Sequence, residues 1–144
     1  MKSKFRLFAH VVWGTWQRRP LIDHSTEESV YRSILAKCHG LACQAWAIGG
    51  TDQVHMLVRF QPLITIARLV GEMKGASSHA AAHELAPEFR WQPGYGAFTL
   101  SEEDAPSVVS YVRGSETPPC NAAAAPDPGS DSAVDLGQHR PSFH

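Results

Sequence analysis

A chain of 144 residues with 43% hydrophobic content is one domain's worth of polypeptide, with apolar material for a single core. Its net charge of −1 is unevenly laid out: up to Ser115 twelve Lys and Arg stand against ten Asp and Glu, whereas the remainder sets Arg140 against Glu116, Asp127, Asp131 and Asp135. Three cysteines without a C-x-x-C exclude a disulfide framework and a zinc ribbon and make a reducing cytoplasm the expected compartment; no run approaches the roughly 18 apolar residues of a membrane span, and Met1 to Phe8 lack the apolar stretch of a signal peptide.

In chain order, Phe5 to Trp16 is rich in β-formers, interrupted by Arg6 and His10, and reads as a long first strand ended by Arg18-Arg19-Pro20. Ser25-Thr26-Glu27-Glu28 fits a capping box, and the helix it opens carries Val30, Ile34, Leu35 and Cys38 on one face, with Gly40 as its stop. Leu41 to Ile48 reads as a second strand, and Gly49-Gly50-Thr51-Asp52 turns the chain into a third strand that Pro62 ends. Thr65 then caps a helix whose Ile66, Leu69, Val70 and Met73 have i, i+3, i+4, i+7 spacing, running to about Leu85. Gly96 to Leu100 is a short fourth strand, and the acids Glu102, Glu103 and Asp104 start a last helix with Val108, Val109 and Val112 on its apolar face and Tyr111 on its edge. From Gly114 the chain is Pro, Ala, Gly, Ser and Asp, too poor in large apolar groups to offset the entropy of ordering, so a disordered tail is expected. The class is α+β: a ferredoxin-like β-α-β-β-α-β domain over residues 1–113 with an additional C-terminal helix, followed by a tail over 114–144.

The third strand carries the chemistry. Val54, Met56, Val58 and Phe60 alternate with Gln53, His55, Leu57 and Arg59, so a pleated strand sends the first set to the core and the second to the opposite face. Side chains at i and i+2 are rooted about 7 Å apart, close enough for two donors to converge on one cation. A His-hydrophobic-His strand would make such a site; here Gln53 stands at the first position. A lone histidine on a strand is more often structural. His79 and His83, at i, i+4 on a helix, lack a third ligand in sequence and read as a solvated face. Arg18, Arg19, Arg59 and Lys74 are the cations to follow, and Lys74-Gly75-Ala76-Ser77-Ser78 suits phosphate contact because the glycine and serines are small. Of the four tryptophans, only an exposed one beside Arg18 or Arg59 would be a base-stacking surface.

Several stretches resemble one family in order and at suitable separations. These are His10-Val11-Val12-Trp13-Gly14-Thr15, Arg18-Arg19-Pro20-Leu21, Gly49 to Val58, Met73 to Ser78, Trp91 to Ser101, and Tyr111-Val112. The family is the single-tyrosine HUH transposases of the small insertion-sequence type, which includes the REP-associated tyrosine transposases. The resemblance implies a nuclease that cuts single-stranded, hairpin-flanked DNA through a covalent tyrosine intermediate. Tyr111 would be the nucleophile, with His55 and Gln53 at the positions of the ligands for Mg²⁺ or Mn²⁺. It also implies a homodimer, for which the edge of the Phe5 strand is the expected pairing surface.

Two departures bear on activity. Gln53 replaces a ligand histidine with a neutral amide, and Ser115 stands where the family has a glutamine one turn after the tyrosine, shortly before Pro118 forbids further helix. Two readings therefore stand: metal-assisted strand transfer with weakened activity, or a catalytically decayed or repurposed DNA-binding protein.

Overall fold

The computed structural model describes residues 3–24, 26–50, 52–84 and 88–114. The Ser25 side of the capping box, the helix end near Leu85, Ser115 and the tail lie outside them. The elements are β1 (Leu7–Gly14), α1 (Glu27–Gly40), β2 (Gln44–Gly49), β3 (Gln53–Phe60), α2 (Ile66–Glu84), β4 (Gly96–Leu100) and α3 (Ala105–Val112), with short 3₁₀ turns at Trp16–Arg18 and Glu102–Asp104. Thr65 caps α2 as its sequence predicts, its Oγ1 accepting from the Arg68 N–H at 3.1 Å. Helix α1 ends at Gly40, but the left-handed residue that turns the chain is Ala42, at φ 60°.

The strands form one antiparallel sheet in the order β2-β3-β1-β4, which is the ferredoxin-like β-α-β-β-α-β arrangement with α3 added. Two buried layers follow from the alternation. On one face Trp13, Val54, Met56 and Val58 pack with Ile34 and Met73 from the two long helices. On the other, Phe8, Ala47 and Leu57 pack with Ala105, Val108 and Val112 of α3. Gln53 and His55 share this second face, as the strand pattern requires.

One expectation is corrected. The Phe5 strand offers no edge for a second copy, because β1 lies between β3 and β4 and is hydrogen-bonded on both sides. The sheet's two open edges belong to β2 and β4. Among the described residues, no helix is long and apolar enough to cross a membrane.

Candidate active site

The centre of the second face is a chain of three polar side chains. His10 on β1 is fully buried, and its Nε2 lies 3.2 Å from Nδ1 of His55 on β3. The opposite nitrogen of His55, Nε2, lies 3.2 Å from Gln53 Oε1. Register explains the convergence: His10 pairs with Leu57 and Val12 with His55, so the two imidazoles are diagonal neighbours on one face. Helix α3 lays Tyr111 across both rings, edge-on, with centroids 5.6 Å from His55 and 5.9 Å from His10. The residues predicted as nucleophile and metal positions are thus brought together.

Burial, and then His55, hold the His10 pKa down at about 4. His55 is lowered too, first by burial and then by the Arg18 guanidinium, with Asp52 opposing. Both rings are therefore neutral at pH 7.

Glycine sets the fit of α3 over this layer. A Cβ built on Gly49, the strand partner of His55, would sit 2.5 Å from the Val112 carbonyl oxygen, nearer than real Cβ atoms come. The missing side chain lets the end of β2 reach the backbone of the residue that follows Tyr111.

Beside Gln53, the turn after β1 builds a basic rim. Gln17 and Arg18 both take left-handed backbone, at φ 55° and 57°. The Thr15 N–H donates to the Asp52 carbonyl at 2.9 Å, and the Asp52 carboxylate pairs with Arg18 at 3.2 Å. Arg90 stacks over the Trp16 indole, 4.0 Å from its centroid. Arg19 is exposed on the same turn. Trp16, two residues before Arg18, is half-buried rather than exposed, so it meets only in part the condition set for a stacking tryptophan.

The other predicted contacts lie elsewhere. Arg59 is six residues along β3 from Gln53, about 20 Å at strand rise, and donates to the Phe5 carbonyl at 3.5 Å. Lys74 lies on α2, across the sheet, and its Nζ donates to the carbonyls of Gln92 (2.9 Å) and Gly94 (3.0 Å). Gln92 in turn accepts from the Gln17 N–H at 3.1 Å, so Lys74 braces the loop behind the rim. Ser77 is buried, accepting from Trp91 Nε1 at 3.0 Å, and Ser78 donates to its own helix at the Gly75 carbonyl.

Sequence reading did not single out His10 or Arg90 as site residues. His10 left a signal, a titratable group interrupting an otherwise apolar strand; Arg90 left none, since its partner Trp16 is remote in sequence.

A family model described as "Transposase IS200 like" matches residues 3–115. The chain belongs to the IS200-like transposase family. No curated protein matches it by sequence. Among solved structures, a protein of Deinococcus radiodurans R1 described as a transposase superposes with a TM-score of 0.64 at 21% identity, covering 82% of this chain and all of that one. A REP-associated tyrosine transposase bound to a REP hairpin superposes with a TM-score of 0.60 at 14% identity, covering 78% of this chain and 69% of that one. These two likenesses are of fold.

Members of this family use a divalent metal, and the residues in place can be tested for it. Two cis ligands on one small cation are roughly 3 Å apart, so the separation of His55 Nε2 and Gln53 Oε1 would suit. The donor set does not. Among the described residues it holds one imidazole and one amide, and no group of three or more His, Cys, Asp or Glu that could hold a metal ion. Where the family resemblance implies two imidazole ligands on this strand, the described residues keep one nitrogen donor, His55, beside the Gln53 amide oxygen.

Proposed function

We propose that the chain acts on single-stranded or hairpin DNA, holding a strand against the Trp16 and Arg18 rim, and that strand cleavage by Tyr111 is severely weakened. The observation that supports this is the placement of Tyr111 against His55 and His10, with Gln53 at a ligand position. Cleavage would join the Tyr111 oxygen to phosphorus and break the bond from phosphorus to one flanking sugar oxygen. Phenols give up their proton reluctantly at neutral pH, and a neutral donor pair stabilises the charge on the phosphate oxygens less than a bound cation does. DNA binding is spread over several cations and an aromatic face, so it survives the loss of any one group better than cleavage does.

The test is incubation with hairpin-bearing single-stranded DNA and Mn²⁺ or Mg²⁺, with covalent adduct read on a denaturing gel. The expected result is binding with little adduct, and more adduct in a Gln53→His plus Ser115→Gln variant. Abundant adduct from the unaltered protein that disappears in Tyr111→Phe would instead make it a fully competent nuclease.

A further inference from the structure

A neutral imidazole has one N–H and one lone pair, so the His10, His55 and Gln53 chain admits two proton arrangements. In the first, His10 Nε2–H donates to His55 Nδ1, and His55 Nε2–H donates to Gln53 Oε1. In the second, every bond reverses: the Gln53 amide donates to His55 Nε2, and His55 Nδ1–H donates to His10 Nε2. The far end decides between them. His10 Nδ1 is buried and has no partner. In the first arrangement that atom is a bare lone pair; in the second it is a buried N–H without an acceptor, the rarer defect in folded proteins.

We infer that the position of the family's metal is, in this chain, a site for a phosphate oxygen bound directly, with His10 as the positioning residue that keeps His55 Nε2 protonated. An oxygen arriving beside Gln53 Oε1 accepts from His55 Nε2–H, the Gln53 carboxamide turns to offer its own N–H, and Arg18 supplies positive charge from the rim. A cation would need the lone pair that this tautomer lacks. The inference rests on the proposal that the site handles DNA, and it names what holds the phosphate there.

The test uses the full chain labelled with ¹⁵N-histidine, in chelator, at neutral pH. Long-range ¹H–¹⁵N spectra should show His55 protonated at Nε2 and bare at Nδ1. Millimolar Mg²⁺ should leave these signals in place, inorganic phosphate should move the Nε2–H signal, and affinity for hairpin-bearing DNA should agree within about twofold with and without Mg²⁺. His10→Phe should mix the tautomers, and His10→Gln, whose amide can donate to Nδ1, should restore the original one; a merely space-filling His10 would not show that rescue. Gln53→His should acquire broadening by Mn²⁺. A His55 protonated at Nδ1, broadening of its signals by substoichiometric Mn²⁺ in the unaltered protein, or DNA affinity rising about tenfold with metal would overturn the inference. So would a phosphate titration that leaves His55 unmoved. If DNA does not bind at all, the proposed function falls, while the tautomer, Mn²⁺ and phosphate results on the protein alone still decide this one.

Discussion

The two faces of the sheet are made by the same strands and serve opposite ends. Val54, Met56 and Val58 meet the 14-residue α1 and 19-residue α2 in an apolar layer. One residue out of step, Gln53, His55 and Leu57 meet the eight-residue α3 in a layer that mixes apolar packing with buried imidazoles. The polar groups lie where the cover is shortest and hydrogen-bond one another through His55, leaving, of the three, only His10 Nδ1 buried without a partner. The first face is a continuous apolar core and the second carries the candidate site, so substitutions on the two should fail differently.

The largest effect is expected at Met56, which is fully buried under the long helices. Met56→Ala should cost about 3–5 kcal/mol in urea unfolding, whereas its equally buried neighbour Leu57, covered by α3, should cost about 2–3 kcal/mol because a one-layer cover settles more easily onto a gap. Equal losses would mean that α3 is as firmly seated as α1 and α2.

A second contrast is pH. The His10 pKa falls from an ordinary 6.5 to about 4 on folding, so between these values the unfolded chain binds a proton that the folded chain refuses. Stability is therefore complete above pH 6.5 and declines as pH falls toward 4, by of order 3 kcal/mol for this group. His55 from β3 adds a loss of the same sign; Tyr111 from α3 and Phe98 from β4 are the other rings facing His10. Urea midpoints across this range should fall, and the fall should shrink in His10→Phe. Gly49→Ala probes the seating of α3 directly: the new Cβ meets the Val112 carbonyl, so a loss of about 1–3 kcal/mol with faster hydrogen exchange confined to α3 is expected.

The apolar face was the more legible in sequence. Period-two alternation in Gln53 to Phe60, the i, i+3, i+4, i+7 spacing from Ile66 and the Thr65 cap specify β3, α2 and their facing, since each is a local rule acting within a few residues. Tyr111, His55 and Gln53 were legible as a group through the family resemblance, and they do converge. The His10 link was not, because it depends on β1 pairing β3 with His10 opposite Leu57, a register fixed 45 residues away in sequence. The same holds for β1 as an inner strand: its edge is closed by β4, whose sequence says nothing about where it docks. Lys74 and Ser77 looked like surface groups from their types, yet tertiary packing turned them toward the loop before β4 and toward Trp91.

The smallest expected effect on folding should be among the most informative for the site. Arg18 and Asp52 form an ion pair about 40% exposed, and such pairs contribute roughly 0.2–1 kcal/mol. Arg18→Ala should therefore leave the urea midpoint nearly where it was and preserve the sheet, which does not depend on the 3₁₀ turn. Its guanidinium is nonetheless the charge nearest in effect to His55. Removing it should weaken binding of hairpin-bearing single-stranded DNA and lower the slope of log affinity against log salt by about 0.7, the share of one phosphate contact on a single strand. Arg59→Ala, at the far end of β3, should leave that slope unchanged. If the two variants lose affinity equally, the DNA lies along the whole strand and not at the rim, and the division of labour between the faces no longer marks where the nucleic acid sits.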